Sequence, residues 1–193
     1  MGRPKEFDRV EAVERAMQVF QAKGFAGATL NHLTEAMQIG RQSLYDTFGD
    51  KRALFLEALA RYYRSRREVH RSRLHSADDP LDGIRAMLQG VVDDHRRSPE
   101  IGYLVVGAIA EFGCTDADVV KCRVEGEALL HKLLVERLND GRRRGQFLPA
   151  LDSESAAWSL QTTMYGFQIA ARGGMREYEL CGVVERALDP WKR

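Results

Sequence analysis

The segment from Thr29 to Lys51 constrains the fold of this chain more than any other part of its 193 residues. Thr29 can accept a backbone N–H bond and so cap the start of a short helix. The apolar side chains that follow recur at helical spacing: Leu30, Leu33 and Met37. Gly40 comes next, and we expect it to supply the backbone freedom that a sharp turn between helices requires. The pattern predicts a supporting helix followed by a tight turn.

A second short helix is expected to begin near Arg41. Leu44 and Phe48 lie one turn apart on it, so both should face the interior. The remaining positions are hydrogen-bond formers: Arg41, Gln42, Ser43, Tyr45 and Thr47. In the major groove of DNA, arginine can bind guanine O6 and N7, and glutamine can bind adenine N6 and N7, whereas tyrosine and threonine suit phosphates. The spacing therefore predicts a helix-turn-helix unit for double-stranded DNA.

Lys51 marks the expected start of the next helix. The free N–H groups and dipole of a helix N-terminus favour a phosphate, and an ammonium group adds a direct charge contact. Asp46 is poorly suited to approach a phosphate. Two roles are open for it: accepting a hydrogen bond from cytosine N4, or binding Gln42 one turn earlier on the same helix.

The chain from Phe7 to Phe55 resembles the DNA-binding domain of the tetracycline-repressor (TetR) family. The matching positions are Ala16, Phe20, Lys23-Gly24-Phe25, Ala28-Thr29-Leu30, Ser43-Leu44-Tyr45, Phe48, Lys51 and Leu54-Phe55. The resemblance implies these roles: phosphate anchors at Thr29, Tyr45 and Lys51, base-edge contacts at Arg41, Gln42 and Ser43, and a basic arm at Arg3 and Lys5. The family often has a residue such as histidine between the tyrosine and the phenylalanine, where this chain has Asp46 and Thr47.

We expect an all-α protein with two domains. Residues 1–55 would form a three-helix helix-turn-helix DNA-binding domain, and residues 56–193 a helical effector-binding and dimerisation domain. Apolar spacing predicts a first helix from Phe7 to Lys23, ended by Gly24, and a fourth from Lys51 to Leu74. Pro80 follows an aspartate and reads as a helix start.

Charge is distributed unevenly along the chain. Residues 1–75 carry 14 basic and 9 acidic side chains, whereas residues 76–193 carry 15 and 19. A basic N-terminal part would attract phosphates. The arginines of the fourth helix are open to two interpretations, interdomain ion pairing and DNA contact: Arg61, Arg64, Arg66, Arg67, Arg71 and Arg73.

The last two helices are expected at residues 154–172 and 176–188. The first of them is apolar over more than one face, so it should bury surface on two sides. A symmetric four-helix interface between two copies of the chain would satisfy this pattern. We therefore expect a homodimer through these helices, which also suits the paired half-sites of a palindromic operator.

The resemblance also implies a cavity in the second domain for an unknown small-molecule effector, apolar or amphipathic, that releases the repressor from its operator. No motif identifies the lining. Composition selects these candidates: Met87, Leu104, Phe112, Trp158, Gln161, Met164, Tyr165 and Gln168.

Three cysteines raise a rival hypothesis, a redox- or metal-responsive DNA-binding regulator. Cys122 and His131 lie nine steps of about 100° apart on one helix, on opposite faces. Cys114 and Cys122 would stand about 12 Å apart along a helix, whereas a disulfide needs about 6 Å between Cα atoms. Only an unwound start to that helix would bring Cys114 and Cys122 within reach. An odd number of cysteines, here with Cys181, most often means buried or inert thiols, and we expect no metal site.

The remaining patterns speak against an enzyme. The chain has no phosphate-binding glycine loop, HExxH or G-x-S-x-G motif, so we expect no catalytic residues and no cofactor. It also has no long apolar run and no secretory leader. We therefore expect a cytoplasmic protein with no membrane partner.

Overall fold

The computed structural model describes residues 7–98 and 103–192, and this part of the chain is helical, as the sequence predicts. Arg3 and Lys5 lie outside the described residues. Among the described residues, nine α-helices are followed by a 3-10 turn at Asp189–Trp191. Their bounds are α1 Arg9–Gly27, α2 Leu30–Met37, α3 Arg41–Phe48, α4 Lys51–Leu74, α5 Pro80–Arg97, α6 Tyr103–Phe112, α7 Ala117–Arg143, α8 Ser153–Arg172 and α9 Glu177–Leu188.

Side-chain caps explain where several helices begin. Asp8 accepts the N–H groups of Val10 and Glu11, so α1 starts two residues later than the apolar spacing predicts. Asp79 caps α5 and Pro80 fills its first position, which confirms the expected start there. Asp152 caps α8 in the same way.

The first helix is broken at Gly24. This residue has φ +69° and ψ −179°, a conformation that essentially only glycine adopts. One more turn follows the break and ends at Gly27, whereas the sequence predicts that the helix ends at Lys23.

The turn between α2 and α3 corrects the role expected for Gly40. Gly40 has φ −73° and ψ 157°, which any residue can adopt, and a side chain there would meet open space. Gln38 takes the left-handed conformation instead, with φ 57°. Its N–H bonds the carbonyl of Glu35, and the N–H of Ile39 bonds that of Thr34, so the helix ends in a Schellman motif. Gln38, the left-handed residue of this motif, comes directly after the helix and two positions before Gly40.

The chain forms two compact units. The first comprises Met1–Tyr62 and Tyr103–Arg123, and the second Tyr63–Gly102 and Val124–Arg193. Helices α4 and α7 each continue from one unit into the other. The first unit thus includes α6 and the start of α7 beside the helices expected to bind DNA. The functional division between residues 1–55 and 56–193 stays a prediction.

Each unit has its own core. In the first, the buried rings of Phe20 and Phe55 meet edge to face, with centroids 5.1 Å apart. In the second, Met87 of α5 and Met164 of α8 belong to a buried cluster that also includes Leu180 of α9. No described helix is long and apolar enough to cross a membrane.

Candidate nucleic-acid interface

Helix α3 presents one apolar and one polar face. Leu44 is fully buried and Phe48 nearly so, which confirms their predicted inward orientation. The outward residues are Arg41, Gln42 and Tyr45, which are exposed, and Ser43 and Thr47, which are half-buried. The hydrogen-bond formers of the predicted recognition helix therefore share its accessible side.

Two of the base-edge candidates are already held by hydrogen bonds. Gln42 Nε2 donates to Asp46 Oδ1 at 2.8 Å, which is one of the two roles expected for this carboxylate. Arg41 donates to the side-chain oxygen of Asn31 on α2. Both bonds hold long, flexible side chains in one orientation.

Thr29 caps α2 as predicted, and it does so in a reciprocal pair with His32. Thr29 Oγ1 accepts the N–H of His32 at 3.2 Å, and Nδ1 of His32 accepts the N–H of Thr29 at 3.3 Å. The neutral imidazole then carries its proton on Nε2. Sequence reasoning missed His32 because this position of a capping box usually holds Glu or Gln. The Thr29 hydroxyl keeps its own hydrogen and can still donate it.

Lys51 occupies the first turn of α4, as expected. The preceding Asp50 accepts the N–H of Ala53 at 2.7 Å and so caps the helix. The Lys51 ammonium lies 4.4 Å from the centroid of the Phe25 ring, a cation–π geometry. This contact holds the charge of Lys51 in a defined place at the helix N-terminus.

Arg52 forms a charged contact with two aspartates, which the sequence did not indicate. Its guanidinium binds Asp116 through two hydrogen bonds of 2.9 and 2.7 Å, and Asp118 at 2.8 Å. The Arg52 bond, aided by the N–H of Val119, lowers the pKa of Asp116 to about 2. The same carboxylates raise the pKa of Arg52. The pair ties the start of α4 to the start of α7.

Three of the six α4 arginines with two open interpretations pair with an acidic residue of another helix in the same unit. Arg61 pairs with Glu14 in the first unit. Arg66 and Arg73 both bind Asp94 in the second, Arg73 through bonds of 2.9 and 2.6 Å. Burial raises the pKa of Asp94, but the hydrogen bonds and charges of the two arginines outweigh this and lower it.

The eight residues predicted to bind an effector are divided between the units. Leu104 and Phe112 belong to the first. In the second, Met87 and Met164 are buried in the core. The others lie on α8: Trp158, Gln161, Tyr165 and Gln168.

A cavity of about 530 Å³ lies between α7 and α8 in the second unit, and Trp158 is the predicted residue that lines it. The lining consists of Val124, Glu127, Ala128, His131, Lys132, Val135, Glu136, Glu154 and Trp158. The His131 ring packs on Trp158 with centroids 4.2 Å apart. Its nitrogens contact Gln161 Oε1 at 3.1 Å and Glu154 Oε2 at 2.7 Å. The cavity thus combines an aromatic wall with a fixed imidazole.

Gln161 and Tyr165 contribute to the same network from α8. Gln161 Nε2 donates to the carbonyl of Glu127 at 3.0 Å, and the Tyr165 hydroxyl donates to its carboxylate at 2.7 Å. Gln168 Oε1 is buried without a hydrogen-bond partner. Two of the predicted effector contacts, Gln161 and Tyr165, are therefore bonded to a lining residue and do not line the cavity themselves.

Large apolar side chains remain exposed along α8 and α9. Trp158 and Ile169 are 52% and 58% exposed, and Tyr178 on α9 is 63% exposed. Gly166 and Gly182 lie on the same two helices, with open space where a side chain would be. Exposed apolar residues beside glycines allow close approach of another helix.

Comparisons with known proteins identify the family. The family model described as bacterial regulatory proteins, tetR family, matches residues 12–58. A structure of the TetR family transcriptional regulator CifR, a cysteine mutant complexed with 26-base-pair operator DNA, superimposes with a TM-score of 0.85. It is 34% identical, and the match covers 98% of this chain and 100% of that one. The chain belongs to the TetR family.

Curated relatives carry the same class of description. An uncharacterized HTH-type transcriptional regulator, YezE of Bacillus subtilis, is 38% identical over 115 residues, 58% of this chain and 59% of that protein. The HTH-type transcriptional repressor ComR of Escherichia coli is 25% identical over 192 residues, 98% of this chain and 91% of that protein. The protein is therefore a DNA-binding transcriptional regulator, and a cysteine-based mechanism is not favoured.

The three cysteines are free thiols in the structure. Within residues 7–98 and 103–192, no three histidine, cysteine or acidic side chains form a group that could hold a metal ion.

Proposed function

We propose that this protein is a homodimeric repressor that binds a palindromic operator and leaves it when a small molecule occupies the second unit. The observation that carries the proposal is the outward face of α3, where Asp46 holds the Gln42 amide. Arg41, Gln42 and Ser43 would contact base edges, as the N-terminal residues of recognition helices do. Thr29, Tyr45, Thr47 and Lys51 would bind phosphates, and Arg3 and Lys5 would extend the basic surface.

The dimer would form through α8 and α9. Trp158, Ile169 and Tyr178 leave apolar surface in water on these helices, and burial of each side chain would favour association. A two-fold dimer would contain two copies of α3 related by the same axis, as the two half-sites of a palindromic operator are. Their spacing would then match half-sites one helical turn apart.

The effector site is the cavity between α7 and α8. Its volume falls within the roughly 300 to 1,000 Å³ of typical small-molecule sites. Apolar side chains, the His131 imidazole and four charged side chains line it together, which suits an amphipathic molecule. A ligand that prefers the conformation with misplaced recognition helices would weaken DNA binding by its differential affinity for the two conformations.

Helix α7 offers the route for this coupling. Its middle lines the cavity, and the residues at its start bind Arg52, which follows Lys51 directly. A shift of α7 would therefore act on the start of α4. The regulator would work in the cytoplasm, where its operator DNA lies.

Selection from a pool of random DNA duplexes tests the proposal. Binding is measured at a stated salt concentration, since phosphate contacts make affinity salt-dependent. Enrichment of one palindrome with helical-turn spacing between half-sites is the expected result. Failure to enrich any sequence would refute the DNA-binding role of the α3 face.

The effector site has its own test. The chain has two tryptophans, so Trp191→Phe leaves Trp158 as the single tryptophan, which can be excited selectively at wavelengths that tyrosine does not absorb. Amphipathic compounds that release the protein from the selected duplex should also change Trp158 emission in this variant. Release without any change in Trp158 emission would place the effector elsewhere.

A further inference from the structure

A carboxylate from α6 is bound at the break in α1. Glu111 Oε1 accepts the N–H of Phe25 at 2.8 Å, and Oε2 accepts the N–H of Ala26 at 2.6 Å. The N–H groups at the start of a helical turn have no partner within that turn, so one carboxylate satisfies two of them. Gly24 makes the approach possible, because a Cβ there would lie 2.4 Å from Oε1.

The residue held in this way lies beneath the Lys51 ammonium. Phe25 offers its ring face to Nζ at 4.4 Å. The same ring packs against Phe55 and Phe112, with centroids 5.2 and 5.1 Å apart. Phe112 follows Glu111 on α6. Both the backbone and the ring of Phe25 are therefore fixed by α6.

A second attachment acts on the other side of Lys51. Arg52, the next residue, binds Asp116 and Asp118 at the start of α7. The end of α6 therefore holds the Phe25 ring below Lys51, and the start of α7 holds Arg52, the residue after Lys51. Neither Glu111 nor Asp116 belongs to the helix-turn-helix segment itself.

We propose that Glu111 is a positioning residue for DNA binding: by clamping the N–H groups of Phe25 and Ala26, it keeps the Phe25 ring under the Lys51 ammonium and this cation in place for a phosphate. The inference rests on the proposed function, in which Lys51 binds the DNA backbone. Glu111 itself touches no DNA in this account.

The sign of the effect separates this role from simple electrostatics. Replacing Glu111 with alanine removes a negative charge from the DNA-binding unit. Coulomb attraction alone would then leave binding to DNA unchanged or make it tighter. The positioning role predicts the opposite, because Lys51 loses its fixed place and must give up more conformational entropy to reach a phosphate.

The experiment measures affinity for the selected duplex as a function of salt for the full-length dimer. Variants are Glu111→Ala, Lys51→Ala and their double mutant, with Glu125→Ala as control for the loss of one exposed carboxylate on α7. Stoichiometric titration gives the folded, active fraction of each variant. Glu111→Gln is a second variant whose side-chain oxygen can still accept one N–H.

We expect Glu111→Ala to weaken binding about three- to tenfold and to lower the salt slope by about 0.9 for each phosphate that the variant no longer binds. In the Lys51→Ala background, Glu111→Ala should weaken DNA binding no further, because Glu111 acts on DNA affinity only through Lys51. Glu111→Gln should fall between Glu111→Ala and the wild type, and Glu125→Ala should match the wild type.

Two results would overturn the proposal. One is affinity equal to or tighter than that of the wild type, with the wild-type salt slope, in Glu111→Ala and Glu111→Gln. The other is full additivity of Glu111→Ala with Lys51→Ala. If the wild type selects no duplex, the proposed function itself fails. If the wild type and Lys51→Ala behave as expected and only the Glu111 variants do not, the positioning role alone is wrong.

Discussion

The two units differ in how much of their function their sequence reveals. In the first, Leu44 and Phe48 face inward while Arg41 and Gln42 face outward, as the spacing predicts. In the second, Met87 and Met164, which composition selected as ligand contacts, are buried in the core. B-DNA presents the same phosphate spacing and the same base edges to every DNA-binding protein. A few residue types in one pattern are therefore enough to indicate a DNA-binding helix. Small molecules impose no such common geometry.

The largest expected effect tests whether DNA binding by the first unit depends on dimerisation through the second. Ile169→Glu places a charge on the exposed apolar face of α8, where a dimer would have to bury it without a partner. We expect a monomer in sedimentation analysis and operator affinity reduced by more than about 100-fold, since the two half-sites are no longer bound as one unit.

Leu148→Glu provides the matched control, because Leu148 is also a large exposed apolar residue but lies outside α8 and α9. It should remain dimeric. A dimeric Ile169→Glu variant would contradict the assigned interface.

The break in α1 predicts the next largest effect. Gly24→Ala forces a side chain into a glycine conformation and onto the Glu111 carboxylate. We expect a loss of about 2 to 3 kcal/mol in unfolding free energy, measured by urea denaturation. Wild-type stability of this variant would show that the break is not needed.

His70, a buried histidine of the second unit, should make the stability of the protein depend on pH. Burial, aided by the charges of Arg66 and Arg73, lowers the pKa of His70 to about 3. The unfolded chain takes up this proton below about pH 6.5, whereas the folded chain does so only near pH 3. The contribution of His70 to the free energy of unfolding is therefore complete above pH 6.5 and is lost as the pH falls toward 3. At pH 5 the loss amounts to about 2 kcal/mol.

Denaturation of His70→Leu at pH 7.5 and pH 5 tests this expectation. The variant should lose that part of the pH dependence, and His75→Gln, which changes an exposed histidine, should keep it. Equal pH dependence in His70→Leu and the wild type would mean that His70 is not the responsible group.

The smallest expected effect concerns the turn of the helix-turn-helix. Gly40→Ala should cost less than about 1 kcal/mol, because its backbone is extended and the space beside it is open. A loss as large as that of Gly24→Ala, measured in the same urea series, would restore the role that the sequence suggested for Gly40.

The sequence predictions that proved correct depend on residues close together in the chain. The caps at Thr29 and Asp79 and the inward face of α3 depend on residues within one turn of each other. Gln38 escaped prediction because glutamine seldom adopts the left-handed conformation, and the neighbouring Gly40 was better suited to it.

Contacts across long stretches of chain could not be predicted. The bond between Phe25 and Glu111 joins residues 86 positions apart, and that between Arg52 and Asp116 joins residues 64 apart. No periodicity or motif records such pairs, because they arise only when helices pack. The cavity around His131 is of the same kind, formed by side chains from two helices.

Base recognition by α3 is the central claim, and repeating the duplex selection with Gln42→Ala and Lys51→Ala tests it most directly. Gln42→Ala should lose preference at one base pair in each half-site, a change of about 1 to 3 kcal/mol in discrimination. Lys51→Ala should bind every sequence more weakly while keeping the same preferences. An equal loss on all sequences for Gln42→Ala would contradict the claim.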